Sequence, residues 1–203
     1  MRVLPSGTTA LLVELDHLDE VLGLYTALRE APPDGVVELV PAARTLLVVT
    51  DPARTTLAAV EHAVRATVPQ PVRHGPAAVQ EVPVVYDGAN LATLAAALDL
   101  TPDALVRRHG RCTWTVAFCG FTAGFGYATS PDWPYEVPRL ACPRTRVPAG
   151  AVAVAGPFSA VYPSASPGGW QLLGRTALTV LDLAADPPVL LRPGVQVRYV
   201  DVT

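Results

Sequence analysis

Prolines and glycines are concentrated in the second half of this chain and limit the structures it can form. In the segment YPSASPGGWQLLGRT, residues 162–176, two prolines fix φ while the adjacent Gly168 and Gly169 leave it free. Helices and strands do not need such a run, so we expect a compact loop that delivers Trp170 into a strand. Backbone N–H groups left free in a loop of this kind can face an anion.

Two further motifs precede this loop. The segment GFTAGFGY, residues 120–127, interleaves glycines, which let a backbone approach a ligand closely, with aromatic rings that can line a pocket. Between the two loops, Arg139 and Arg144 each follow a proline. A guanidinium group binds a carboxylate or a phosphate through two parallel hydrogen bonds. The predicted substrate or anion site consists of Arg139, Arg144, Tyr162, Ser166, Gly168, Gly169 and Arg175.

The charge distribution favours an anionic ligand or partner for this region. Residues 104–181 carry seven arginines and only two acidic residues, Asp132 and Glu136, although the net charge of the chain is −3. Such a local excess of positive charge suggests an electrostatic field that attracts an anion or an acidic partner surface. The chain has no lysine, so it can build neither a P-loop nor a Schiff base. If ATP is bound, arginines and backbone groups must hold it, or another subunit must.

Length and composition indicate a globular protein with one large domain or two small ones. Half of the residues are apolar, yet no uncharged apolar run reaches the length of about 18 residues that a membrane helix needs. The N-terminus lacks a signal-peptide pattern, so we expect a soluble cytoplasmic protein. The three cysteines lack metal-ligand spacing and are odd in number, so we predict no metal site and no disulfide framework.

The N-terminal third predicts an α/β unit with the order β-α-β-β-α. The predicted strands cover residues 9–15, 36–40 and 45–49, and the helices start after Asp16 and Asp51. A closing strand within residues 79–87 would complete the ferredoxin-like pattern. We place this domain at residues 1–76 and a linker within residues 70–76.

The remaining residues, 77–203, predict two short helices followed by a β-barrel or sandwich. The second helix is capped by Thr101 and ends at His109. Turn residues separate the strands that follow, as is typical of small barrels. The predicted strands cover residues 113–118, 151–156, 170–174, 178–183 and 195–200.

The order of three motifs resembles the carboxyltransferase-type family. The motifs are H(x4)W-x-V(x3)GF(x2)GF-x-Y at residues 109–127, PR(x3)PR-x-RVPAG at residues 138–150, and YP(x2)SPGGWQLLGRT at residues 162–176. Members include the B subunit of bacterial ATP-dependent 5-oxoprolinase, subunit 1 of proteins called allophanate hydrolase, and the sporulation kinase inhibitor. The resemblance implies a cyclophilin-like β-barrel in the C-terminal part. The predicted fold class is therefore α+β, with an N-terminal ferredoxin-like domain before the barrel.

The resemblance also implies a function and partners. It indicates a subunit of an ATP-dependent 5-oxoprolinase-type complex, which cleaves 5-oxo-L-proline to L-glutamate and in which the isolated chain is inactive. The implied partner is a sister barrel subunit, of the type of the 5-oxoprolinase C subunit or of allophanate hydrolase subunit 2, with a third subunit left open. ATP would be held by this chain or by a partner, and neither nucleic acid nor membrane is expected.

Two alternatives stay open at this point. One is a non-catalytic regulator that binds and inhibits a sensor histidine kinase. The other is the carboxyltransferase component of a urea carboxylase or allophanate hydrolase system, which would involve biotin. Departures from the family pattern at Ala123, Phe158, Ala160 and Val195 leave a divergent paralogue as a further interpretation.

The first motif contributes two further sets of candidate residues. His109, a position at which the family pattern has histidine, is predicted to transfer protons, although a histidine at a helix end can also simply complement the helix dipole. A group of closely spaced aromatic residues predicts a surface for the sister subunit, unless these rings belong to the barrel core. These interface candidates are Phe121, Phe125, Tyr127 and Trp133.

Overall fold

A computed structural model describes residues 1–71 and 79–203 and shows an α+β architecture. The chain divides into two compact units, Met1–Gly75 and Pro76–Thr203. The predicted domain boundary lies outside the described residues, as does most of the predicted linker at residues 70–76. Within the described part of the chain, every helix is too short or too polar to cross a membrane.

The first unit is a four-stranded antiparallel sheet with two helices. In chain order its elements are β1 (Arg2–Ser6), β2 (Ala10–Glu14), α1 (Leu18–Glu30), β3 (Val36–Pro41), β4 (Thr45–Thr50) and α2 (Leu57–Ala66). The strands lie in the order β1-β2-β4-β3. Apolar residues four apart on each helix, such as Val60 and Val64 of α2, share a core with alternating residues of the central strands, such as Val13 and Leu46.

The ferredoxin-like prediction for this unit is wrong at its last strand and is not confirmed. The strand that starts at Val79 belongs to the sheet of the second unit. Arg2–Ser6, which the sequence did not predict as a strand, instead pairs with β2 and supplies the fourth strand. This strand contains a proline and is mostly exposed, so it lacks the alternation of buried residues that identifies a strand in a sequence.

Both helices of the first unit begin later than predicted. His17 precedes α1, while the Asp16 N–H donates to the Glu20 carboxylate. The α2 helix starts after Thr56, whose hydroxyl accepts a 3.2 Å hydrogen bond from the Ala59 N–H. Asp51 accepts from the Ala53 N–H in a turn ahead of that cap. At α2, capping by the Thr56 side chain therefore favours the later start.

The second unit contains a seven-stranded sheet that curves into a nearly closed barrel. Its elements are β5 (Val79–Val84), α3 (Leu91–Ala97), α4 (Pro102–Arg111), β6 (Trp114–Cys119), β7 (Gly126–Thr129), β8 (Arg144–Val147), β9 (Ala151–Ala155), β10 (Phe158–Val161), β11 (Ser166–Gly168), β12 (Gln171–Arg175) and β13 (Gln196–Asp201). The strand order is β12-β9-β10-β7-β6-β13-β5. Beyond the end of β5, Val85 exchanges two 2.9 Å backbone hydrogen bonds with Arg175 of β12, which brings the two edges together.

Several predicted elements of this unit are confirmed. Helix α4 begins at the predicted cap, where the Thr101 hydroxyl accepts a 3.2 Å hydrogen bond from the Ala104 N–H. The strands predicted near residues 113–118, 151–156, 170–174 and 195–200 are present as β6, β9, β12 and β13. The strand predicted at residues 178–183 is wrong. Leu181 makes only an isolated bridge to Val189, and the Ala184 N–H donates to the Asp182 carboxylate in a turn.

The predicted compact loop at the SPGG motif is also partly wrong. Strands β8 and β11 form a separate two-stranded sheet, here called the ribbon. Ser166 pairs with Val147, and Gly168 pairs with Arg144. The arginine motif and the SPGG motif are therefore two halves of one local structure.

Candidate functional site

The predicted catalytic histidine lies in the barrel interior. His109 is on the buried face of α4, one turn after Leu105, and no part of it is exposed. Its Nδ1 lies 2.8 Å from the Tyr86 hydroxyl and its Nε2 lies 2.9 Å from the Ser159 hydroxyl. The imidazole ring stacks on Tyr199 with a centroid distance of 4.4 Å.

Burial sets the protonation state of this histidine. Desolvation lowers the pKa of His109 to about 3, so the ring is neutral near neutral pH. The Ser159 hydroxyl also lies 3.1 Å from the Tyr199 hydroxyl and 3.4 Å from the Ala153 carbonyl oxygen. One arrangement of hydrogens satisfies the whole network. The Tyr86 hydroxyl donates to Nδ1 of His109. The Ser159 hydroxyl accepts from both Nε2 of His109 and the Tyr199 hydroxyl, and it donates to the Ala153 carbonyl. This placement does not support proton transfer to a bound substrate.

Sequence reasoning missed the partners of His109 because they are distant in the chain. Tyr86 follows β5, Ser159 lies in β10 and Tyr199 lies in β13. The one available signal was Ser159, a single polar residue in a strand whose residues are all buried. Buried polar groups are almost always hydrogen-bonded, so an isolated serine of this kind indicates a polar partner inside the core.

A cluster of six aromatic rings contains three of the other candidates. The rings contact one another with centroid distances between 4.5 and 5.7 Å. We call this group the aromatic cluster: Phe118, Phe125, Tyr127, Phe158, Tyr162 and Trp170. All of its members except Tyr127 are buried.

The ribbon lies against the aromatic cluster, and Gly168 makes this contact possible. A Cβ at Gly168 would stand 2.3 Å from the Tyr162 hydroxyl oxygen, so any larger residue would collide with it. A Cβ at the neighbouring Gly169 would make only ordinary van der Waals contacts at 3.7 Å, and the Gly169 carbonyl accepts a 2.7 Å hydrogen bond from the Leu140 N–H. The predicted residues Tyr162, Gly168 and Gly169 therefore do lie together.

The three predicted arginines have separate surroundings. Arg144 donates to the Trp170 carbonyl at 3.2 Å and to the Asn90 side-chain oxygen at 2.6 Å. Arg175 forms a 2.8 Å ion pair with Asp87. Both side chains thus have partners within the chain, which differs from the predicted anion clamp.

Arg139 is the predicted arginine that is available for an external anion. It is exposed and makes no ion pair or hydrogen bond with the residues that the structure describes. Burial raises the pKa values of Tyr127 and Tyr162, whereas the positive charge of Arg139 lowers both. On either side of Arg139, the Pro138 carbonyl accepts a 2.9 Å hydrogen bond from the Gln171 amide and the Leu140 N–H donates to the Gly169 carbonyl at 2.7 Å. On the ribbon, the Ser166 hydroxyl oxygen is buried and has no partner among the described residues. The candidate ligand surface consists of the exposed Arg139 and the half-buried Tyr127, with the buried hydroxyls of Tyr162 and Ser166 in the same part of the unit.

The predicted partner surface requires a correction. Phe125 and Trp133 are only 1% and 5% exposed, because Phe125 belongs to the aromatic cluster and Trp133 packs on Trp114 and His109 in the barrel core. Tyr127 is half-buried. Phe121 alone of the four candidates is strongly exposed. Within the described residues, no three His, Cys, Asp or Glu side chains are placed to hold a metal ion.

The fold and the motifs correspond to a known class of protein. The family model described as "Carboxyltransferase domain, subdomain C and D" matches residues 1–191. This chain belongs to that family, as the three motifs predicted.

Curated relatives give the match a more specific context. The chain is 48% identical over 123 residues to the B subunit of 5-oxoprolinase from Escherichia coli O157:H7, covering 59% of this chain and 56% of that protein. It is 35% identical over 128 residues to the B subunit of 5-oxoprolinase from Bacillus subtilis strain 168, covering 62% and 53%. The matched region thus spans only a little over half the length of these curated relatives.

Solved structures share the fold. TTHA0988 matches with a TM-score of 0.77 and 34% identity over 96% of this chain and 40% of that chain. PH0987 from Pyrococcus horikoshii matches with a TM-score of 0.58 and 30% identity, over 99% and 97% of the two chains. Kluyveromyces lactis urea carboxylase has a TM-score of 0.77 over 99% of this chain and 22% of its own, and at 19% identity this similarity shows the fold alone.

Acid should destabilise the protein through His109. The pKa of the imidazole rises from about 3 in the folded chain to about 6.5 when unfolded, so the unfolded state binds the extra proton. The stability from this neutral ring is complete above about pH 6.5 and falls by up to roughly 1.4 kcal/mol per pH unit as the pH drops towards 3. Urea unfolding at several pH values in this window measures how the free energy of unfolding changes with pH. The number of protons taken up on unfolding should be smaller by one in His109→Gln than in wild type. Equal pH dependence in the two proteins would contradict this account.

Replacing Gly168 should loosen the ribbon. Gly168→Ala is expected to lower the free energy of unfolding by about 1–3 kcal/mol, because the new methyl group collides with the buried Tyr162 ring. Gly169→Ala is the matched control, since the nearest atoms to its Cβ lie 3.7 Å away. Chemical denaturation of both variants measures the difference, and Tyr162→Phe should partly rescue Gly168→Ala. Equal losses at both glycines would show that this contact is not the constraint.

Proposed function

We propose that this chain is a subunit of a 5-oxoprolinase-type complex, which opens the cyclic amide of 5-oxo-L-proline to give L-glutamate at the expense of ATP. The observation that carries the proposal is the identity of up to 48% to proteins named as B subunits of 5-oxoprolinase, within a family match over residues 1–191. Because the chain spans about half of those relatives, their activity is a proposal for this chain.

The candidate ligand surface gives this chain a role in binding the substrate. The substrate 5-oxoproline carries a carboxylate beside its ring amide, and an exposed guanidinium is a suitable group to bind it. Arg139 supplies that group, and its positive charge lowers the pKa values of Tyr127 and Tyr162. The cluster of buried rings that contains these two tyrosines provides a rigid support for the site.

The rest of the chemistry is assigned to partner subunits. His109 is fully buried and engaged at both ring nitrogens, and the other two arginines have partners inside the chain. We therefore expect the isolated chain to be inactive and to act with a sister barrel subunit of the type of the 5-oxoprolinase C subunit. We propose that a third subunit, which the sequence left open, completes the complex, and we place the complex in the cytoplasm, where ATP is supplied.

The candidate ligand surface does not fit the triphosphate of ATP. The chain has no lysine, and Arg144 is held by Asn90 while Arg175 is held by Asp87. Arg139 is a single guanidinium, whereas nucleotide sites surround the phosphates with several donors. We assign the nucleotide to a partner subunit. Biotin belongs only to the urea carboxylase alternative, which rests on a shared fold at 19% identity.

Arg139 should contribute to substrate binding in the assembled complex. The chain is co-expressed with its sister and third subunits, and ATP-dependent formation of glutamate from 5-oxoproline is measured. Loss of a charge-assisted hydrogen bond costs about 1.5–3 kcal/mol, so Arg139→Gln should lower kcat/KM by roughly 10- to 150-fold, mainly through KM. Arg111→Gln is the control, because Arg111 is also exposed but lies on α4, outside the aromatic cluster.

Four results would count against parts of this proposal. A complete wild-type complex that does not turn over 5-oxoproline would remove the proposal. Equal kinetic constants for Arg139→Gln and wild type would place the substrate elsewhere. Turnover by the isolated chain would contradict the assignment of the chemistry to partners, and specific inhibition of a sensor histidine kinase by the chain would favour the regulator alternative.

A further inference from the structure

The loop between β6 and β7 holds one aromatic residue in an unusual backbone conformation. The Gly120 N–H donates to the Phe125 carbonyl at 3.2 Å, which closes the loop. Inside it, the Thr122 N–H donates to the Gly120 carbonyl at 2.7 Å, and the intervening Phe121 has a φ of 66°. A hydrogen bond across one residue with positive φ defines a γ-turn of the rare, strained kind.

Glycine is the residue that ordinarily occupies such a position. A bulky side chain at positive φ is a genuine outlier, whereas short polar residues are common there. Among the described residues, the other non-glycine residue with positive φ is Asp99, a short polar residue just after α3. Phenylalanine at position 121 therefore requires an explanation that backbone preference does not provide.

Packing within the chain does not provide it either. Phe121 is 63% exposed and its ring has an edge contact with Phe125 at a centroid distance of 5.6 Å. Little apolar surface of this ring is removed from water, so burial does not offset the backbone strain. Strained residues of this type are concentrated at functional sites, where the displayed side chain has a use.

The surroundings of Phe121 indicate the kind of partner. Behind it, Phe125 contacts Tyr162 and Trp170 at 5.0 and 5.3 Å, so the exposed ring stands on the rigid aromatic cluster. The exposed Arg139 lies between Pro138 and Leu140, whose backbone groups are hydrogen-bonded to Gln171 and Gly169 on either side of Trp170 of the cluster. Exposed aromatic rings and arginines are the residue types enriched at the centres of protein interfaces. The acid-poor region around them fits an acidic partner face.

We propose that Phe121 is the anchor of the contact with the sister carboxyltransferase-type subunit. Its ring inserts into an apolar pocket in an acidic face of that subunit, and the candidate ligand surface at Arg139 lies beside the contact. The substrate then binds next to the junction of the two subunits. This inference rests on the proposed function, because it takes the sister subunit as the occupant of the surface.

Two substitutions at Phe121 distinguish an effect of the ring on binding from an effect on folding. Phe121→Gly removes the ring and relieves the γ-turn, so its melting temperature should equal or exceed that of wild type. Phe121→Ala also removes the ring but keeps a Cβ at positive φ. Both variants should raise the Kd for the purified sister subunit by roughly 30-fold or more, as expected for an interface anchor. Val37→Ala, which truncates a side chain of similar 58% exposure in the first unit, should leave that Kd unchanged.

Calorimetric titration of full-length chains distinguishes the outcomes. If wild type binds the sister subunit and both Phe121 variants bind equally well, the anchor is wrong while the proposed function stands. If wild type does not bind the sister subunit, both are overturned. Sedimentation of the chain alone tests whether a second copy of the chain binds the Phe121 ring instead. Self-association that disappears in Phe121→Gly would assign the ring to that contact and overturn the inference.

Discussion

The closure of the barrel is the contact on which the rest of the second unit depends. Residues 85–90 run beside residues 172–175: Val85 pairs with Arg175, and the Gly88 and Asn90 N–H groups donate to the Leu173 and Leu172 carbonyls. Asn90 then connects this seam to the ribbon, because its side-chain oxygen accepts from the Leu172 N–H and from Arg144. One amide thus ties the barrel edge to the ribbon that lies on the aromatic cluster.

Under the proposed function, the polar residues of the barrel divide into those that stabilise the structure and those that bind a ligand. His109 and its hydroxyl partners satisfy one another inside the core, where an unpaired polar group would be costly. Arg144 and Arg175 stabilise the ribbon and the seam. Arg139 and Phe121 make no side-chain hydrogen bond to the ribbon or to the seam among the described residues. Both are exposed, beside the same aromatic cluster. Under the proposed function, the second unit acts as a rigid support that presents this small surface to other molecules.

Local patterns in the sequence predicted the elements with local signals. The cap at Thr101 and the apolar run of β9 are examples, and the order of the three motifs was sufficient to predict the family. Contacts between distant segments had no such signal. The sequence could not show that Ser166–Gly168 pairs with Arg144–Val147, or that the histidine of the first motif would turn inwards to Ser159. Aromatic density alone could not separate the exposed Phe121 from the buried Trp133, since only the three-dimensional packing distinguishes them.

Hydrogen exchange of the full chain, measured alone and in complex with the sister subunit, tests most directly whether this surface is where the chain works. Residues 120–127 and the segment around Arg139 should be protected on binding, while α4, on which the exposed Arg107, Arg108 and Arg111 lie, should exchange at an unchanged rate. Protection centred on α4, with unchanged exchange in residues 120–127, would contradict the account.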